Sequence, residues 1–152
     1  MNTGILIEEL KERMAGQKVR AALFYSFNFD ARFFENYILT QFLSDVSFSN
    51  NEIQNAILWK KYQKELPPIT VFCDFHAKGT TGPSLAYNVV PVDMPINASG
   101  RKPCFHPKQS YILLEDSSLI VIGGSNNITQ SAWCSNIEGV NIFHFTPHAN
   151  EN

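Results

Sequence analysis

FHPKQSYILLEDSSLIVIGGSNNITQSAWCSNIE, residues 105–138, is the stretch whose reading decides the fold. Residues 105–115 alternate as a strand does, so His106, Lys108, Ser110, Ile112 and Leu114 share one face. An imidazole and an ammonium then point the same way at the end of a strand. Asp116-Ser117-Ser118 makes a turn, and residues 119–122 return as the second arm of a hairpin. Gly123-Gly124 lets the backbone leave the sheet closely and without a side-chain clash. Ser125, Asn126 and Asn127 then sit at the start of a short helix over about 129–134, where unpaired N–H groups bind anions. A nucleophile, a cation and several donors thus converge on one phosphate-sized place, and Asn136-Ile137-Glu138 adds a carboxylate.

Working outward, Leu6, Leu10 and Met14 recur every four residues beside Ile7, and Gly16 follows, which predicts a short amphipathic helix with a glycine stop. The apolar run RAALFY at 20–25 lies within a buried strand over about 19–27. Asp30 can cap a helix over about 31–44, its carboxylate accepting from an orphan N–H. Phe33, Phe34, Tyr37, Ile38 and Leu43 supply that helix's buried stripe, and their aromatic density reads as core packing rather than base stacking. Asn51 begins a helix reaching about Glu65, stopped by Pro67-Pro68. Lys60, Lys61 and Lys64 on it read as a solvated face. Residues 69–75 form a second strand and 87–92 a third, weakened at Pro91. KGTTG at 78–82 is a loop without the Walker order. A loop over 95–103 carries Arg101 and Lys102 into the opening stretch. His144, in the alternating run 140–145, reads as structural. Strands alternating with helices predict an α/β fold, a mixed β-sheet flanked by helices.

The chain has 152 residues, enough for one domain with a sizeable core, over 1–147 with a polar tail at 148–152. Charged residues make up 17% and hydrophobic ones 44%, which excludes disorder as the general state. The formal net charge is -2, so attraction to phosphate has to be local. Three cysteines, an odd number, follow a start that lacks a signal-like apolar block, and no run approaches the roughly 18 apolar residues of a membrane span. A cytoplasmic protein with no membrane partner is expected. Cys73-x-x-His76 and Cys104-x-His106 offer zinc-ligand types, but Cys73 lies in an expected strand and neither pair has paired-cysteine spacing, so no metal or cofactor is expected.

HxK, then GSxN, then NxE resemble the active-site motif of the phospholipase D superfamily. The matching residues are His106 and Lys108, Gly124-Ser125-Asn126-Asn127, and Asn136-Ile137-Glu138, most directly in the last third of the chain. The spacing from Asn127 to Glu138 is similar to that in the superfamily's small bacterial endonucleases, which also carry one motif per chain. Two features depart from the pattern. Leu113 stands five after Lys108, where the family has Asp, and the hairpin is longer by several residues, with Glu115 and Asp116 near its tip. Tyrosyl-DNA phosphodiesterases, a branch of the superfamily, share both departures. Their HxK, asparagine and downstream tryptophan resemble His106, Lys108, Asn126 or Asn127, and Trp133. The GSxN form and the spacing to Glu138 favour Asn127. Trp133 itself reads as a packing residue.

The resemblance implies a phospholipase D-like fold and a metal-independent phosphodiesterase, first of all a nuclease or DNA-end-processing enzyme. It gives His106 the role of nucleophile through a phosphohistidine, and Lys108 and Asn127 that of holding non-bridging oxygens. Ser125 adds a hydrogen bond, and Glu138 orients an imidazole. Asn126 and Gly124 lie against the substrate, with Arg101, Lys102 and Lys78 toward flanking phosphates of nucleic acid, DNA in particular. Such a mechanism needs a second histidine, supplied by a homodimer or by a second motif in a longer chain. The alternatives are a phospholipid phosphodiesterase and an inactive nucleic-acid-binding or oligomerisation module.

Overall fold

The structure is a computed structural model that describes residues 4–43, 46–49, 51–77, 79 and 84–147. Its strands are β1 (Val19–Ser26), β2 (Ile69–Asp74), β3 (Asn88–Val92), β4 (Gln109–Leu114), β5 (Leu119–Gly124) and β6 (Val140–Phe145). They form one mixed sheet in the order β3-β2-β1-β4-β5-β6. β1, β2 and β3 run parallel to one another, and β4, β5 and β6 continue the sheet antiparallel. β3 is one of the two edge strands, which accommodates Pro91, a residue with no N–H to give to a further neighbour.

Strand alternation sends one set of side chains into the core. Phe24, Val71, Ile112 and Ile120 are fully buried together with Leu10, Phe34, Ile38 and Leu39 from the helices. Phe24 meets Phe34 edge-on at 4.9 Å, a favoured aromatic geometry. Burying each such side chain is worth about 1.5–3 kcal/mol. Helix α1 (Ile5–Met14) ends where Ala15 takes a left-handed conformation, one residue before the expected glycine stop. Asp30 caps α2 (Ala31–Phe33) through a bond from the Phe33 N–H, as its sequence position predicts. Asn51 likewise caps α3 (Glu52–Tyr62), which runs on as a 3-10 turn, Gln63–Glu65.

Four local expectations change. The helix expected to reach Ser44 becomes a π-turn, Phe34–Ile38, then a 3-10 turn that ends at Phe42. β4 begins at Gln109 rather than Phe105, and β5 extends to Gly124 rather than stopping at Ile122. His144 is exposed on β6 rather than packed. Ser44, Lys78 and the tail at 148–152 lie outside the described residues.

Within the π-turn, Glu35 is 6% exposed. Its carboxylate accepts from the Ser84 N–H at 2.7 Å, the Ser84 hydroxyl, and the Tyr87 hydroxyl at 3.2 Å. Burial, and then the facing carboxylate, push the Tyr87 phenol well above its ordinary pKa. The pairing ties residues 84–87 to the helical layer. Glu35→Ala strands those donors and is expected to cost about 1–3 kcal/mol, read from the shift in urea midpoint; an unchanged midpoint contradicts this role.

Candidate active site

The site gathers where β1 ends and β4 begins. Because β4 starts at Gln109, His106 and Lys108 precede the strand, and alternation does not align them. Contact does. Lys108 Nζ lies 2.9 Å from Nε2 and 3.1 Å from Nδ1 of His106. One ammonium cannot make in-plane bonds to both ring nitrogens at once, so it rests against the imidazole. The Phe27 ring adjoins both groups, 5.0 Å from the His106 ring and 5.7 Å from the ammonium. Partial burial lowers the Lys108 pKa from 10.5, opposed by the charges of Cys104 and Glu138.

The GSNN segment closes the other side. The Gly124 N–H donates to the Lys108 carbonyl at 3.3 Å. A Cβ on Gly124 would fall 2.1 Å from the Gly139 carbonyl oxygen, so the close approach of two backbones demands glycine there. Gly123 faces open space and carries no such demand. Ser125 Oγ accepts from the Gly139 N–H at 3.1 Å and donates to the Glu138 carboxylate. Asn136 Nδ2 adds a 3.4 Å bond to the same carboxylate. Ser125, Asn136 and Glu138 therefore form one linked group beside Lys108.

The two asparagines separate. Asn126 is 6% exposed, and its Oδ1 is buried without a hydrogen-bond partner among the described residues. Asn127 is half-buried, and its Oδ1 accepts from the Asn28 N–H at 3.1 Å. That bond fixes the amide's orientation and leaves the NH2 as its donor end. Ser26 Oγ donates to the Asn28 carbonyl and accepts from the Ile128 N–H, knitting the end of β1 to this loop.

Helix α4 (Gln130–Cys134) begins three residues after Asn127, and Thr129 caps it through the Ala132 N–H. The short helix thus lies where the sequence places it, and Ser125, Asn126 and Asn127 precede its cap on a loop. Trp133 is 3% exposed and packs 6.2 Å from Phe33, a packing residue as expected. Leu113 pairs in register with Ala21 and Leu119 on the sheet face opposite Ile112. Five residues along a strand carry it about 16 Å from Lys108, so the missing Asp leaves the site's own contacts intact. Arg101 is exposed on a turn where its N–H bonds Asn97, and Lys102 pairs with Asp93 at 2.6 Å, so neither joins the site by contact. Among the described residues no three His, Cys, Asp or Glu side chains gather as metal ligands.

Two residues that the sequence reading passed over support the site. Asp74, 4% exposed, accepts from the Phe105 N–H at 2.8 Å, the His76 N–H at 2.9 Å and the Ala77 N–H at 3.2 Å. Its own N–H donates to the Phe27 carbonyl at 3.3 Å. An Asp followed by bonds to the second and third residues on is an Asx turn; reading 69–75 as unbroken strand hid it. Phe27 carries no sequence signal beyond its place at the end of β1.

The backbone is similar to NucT from Helicobacter pylori, with a TM-score of 0.53, 12% identity, and coverage of 93% of this chain and 77% of that one. It is also similar to the yeast tyrosyl-DNA phosphodiesterase, with a TM-score of 0.54, 14% identity, and coverage of 93% of this chain and 29% of that one. The chain has the phospholipase D-like fold. It spans less than a third of the yeast chain's length. No protein-family model and no curated protein sequence matches it. On the phospholipase D-like fold, the HxK and GSxN segments come together at one end of the central strands, as the ordered motif implies.

Burial acts to raise the Asp74 pKa, but the N–H groups of Phe105, His76 and Ala77 outweigh it and hold the carboxyl below 3.8. A carboxyl depressed in this way stabilises the fold above its unfolded pKa, and that stability is lost as pH falls through the lower, folded value. Asp74→Asn is therefore expected to flatten the loss of stability below pH 3.8, followed by urea midpoints across the acid range. An acid profile identical to that of the unaltered protein contradicts the assignment.

Proposed function

We propose that the chain is a cytoplasmic, metal-independent phosphodiesterase, a nuclease or DNA-end-processing enzyme working through a phosphohistidine. The observation that carries this reading is the Lys108 ammonium lying against the His106 imidazole, with the Ser125–Glu138 pair beside it. In the proposed reaction a His106 ring nitrogen attacks phosphorus, forming a P–N bond as the leaving P–O bond breaks. A second histidine protonates the departing oxygen, then takes a proton from the water that displaces His106. Lys108 and the Asn127 NH2 hold the non-bridging oxygens, and the Gly124 backbone allows their close approach. Ser125 fixes Glu138, whose carboxylate orients the second imidazole. Asn126, being buried, is left out of phosphate contact.

The second histidine comes from a second copy across a twofold axis, or from a second motif in a longer chain. DNA is the favoured substrate because one structural neighbour is by name a phosphodiesterase of tyrosyl-DNA. Arg101, and Lys102 once drawn from Asp93, extend toward flanking phosphates. A module that binds nucleic acid without turnover is the second reading, favoured by the single copy of the ordered HxK, GSxN and NxE set.

In excess chelator, the protein is expected to cleave single-stranded DNA, duplex DNA or a generic phosphodiester, and His106→Ala to lose roughly three orders of magnitude. Full activity in His106→Ala contradicts the reading, and binding without cleavage supports the inactive module. Because the ammonium form of Lys108 is the one that holds phosphate, the alkaline limb of the rate profile is expected below pH 10.5. An active monomer by sedimentation contradicts the dimer.

A further inference from the structure

We infer that Phe27 is a positioning residue that fixes the His106 imidazole for attack, a role that rests on the proposed phosphodiesterase reading. His106 is exposed and lies outside β4, so no sheet ladder orients its side chain. Among the described residues, the Lys108 ammonium lies against its ring at hydrogen-bond distance, and the Phe27 ring is tilted 41° to it at 5.0 Å. When a phosphate oxygen draws the ammonium away, the Phe27 ring contact stays.

The Phe27 backbone is held to serve this purpose. Its carbonyl accepts from the Asp74 N–H at 3.3 Å. On one side of it Ser26 is tied to Ile128, and on the other Asn28 is tied to Asn127. Asp74 also holds the Phe105 N–H, the residue just before His106. The ring and the imidazole are thus both mounted, through neighbouring backbone, on one buried carboxylate residue. Displacing a reacting group by about 1 Å can cost 100-fold in rate, so such a mount acts on turnover more than on binding.

The variants are Phe27→Leu, which keeps apolar bulk without a ring, and Phe27→Tyr, which keeps the ring. Carbon–proton correlation spectra of the histidine rings, with His106 assigned by its loss in His106→Ala, report the ring contact without any substrate. The His106 ring protons are expected upfield in the unaltered protein and in Phe27→Tyr, and shifted downfield in Phe27→Leu. With a generic phosphodiester, Phe27→Leu is expected to lose about 10-fold in kcat with KM within about twofold, and Phe27→Tyr to retain both. Unchanged ring signals or an unchanged kcat in Phe27→Leu overturns the positioning role. An unaltered protein without turnover overturns the phosphodiesterase reading, and the ring-current displacement tells that failure apart from loss of the contact.

Discussion

The site depends on one buried carboxylate. Asp74 closes β2 by accepting the N–H groups of Phe105, His76 and Ala77, while its own N–H reaches the Phe27 carbonyl. It therefore joins three separate parts of the chain: the end of β1, the turn after β2, and the segment that brings in His106. A hydrogen bond to a charged group contributes about 1.5–3 kcal/mol net, and an unsatisfied buried carboxylate costs more than that. The carboxylate is only 4% exposed, so its bonds are little weakened by water.

Around this staple, GSxN and NxE act as a second, independent clamp. Gly124 lets the chain pass close to Gly139, and Ser125 then bridges the Gly139 N–H and the Glu138 carboxylate. Lys108 lies between the two clamps, its carbonyl bonded to Gly124 and its ammonium against His106. A cation held this way is ready for an anion: its partial burial strengthens electrostatic attraction, while the Glu138 charge opposes the lowering of its pKa that burial brings. Its nearest partner is a ring nitrogen that a bound phosphate would free.

Much of this was legible in the sequence where a local rule sufficed. Asp30 and Asn51 were readable as caps because capping depends on one side chain and its next few N–H groups. The strands at 19–26 and 69–74 were readable from their apolar pattern. What escaped was set by contacts distant in sequence. His106 and Lys108 meet through contact and not through strand alternation, because β4 begins only at Gln109 and the Phe105 N–H goes to Asp74 instead. Leu113 looked like a defect in the site because the motif is written along the chain; the sheet places it well along β4, between Ala21 and Leu119. Glu35 was hidden inside an aromatic stripe, since nothing local announces its bonds to Ser84 and Tyr87.

The central claim is that His106 becomes covalently bound to phosphorus. Its most direct test is intact-mass and peptide analysis of protein quenched in alkali during turnover of a phosphodiester in excess chelator, since phosphohistidine survives base and hydrolyses in acid. The account predicts an acid-labile phosphoryl adduct on the peptide that contains His106. Turnover with no adduct on that peptide, or with the adduct on another residue, would contradict it.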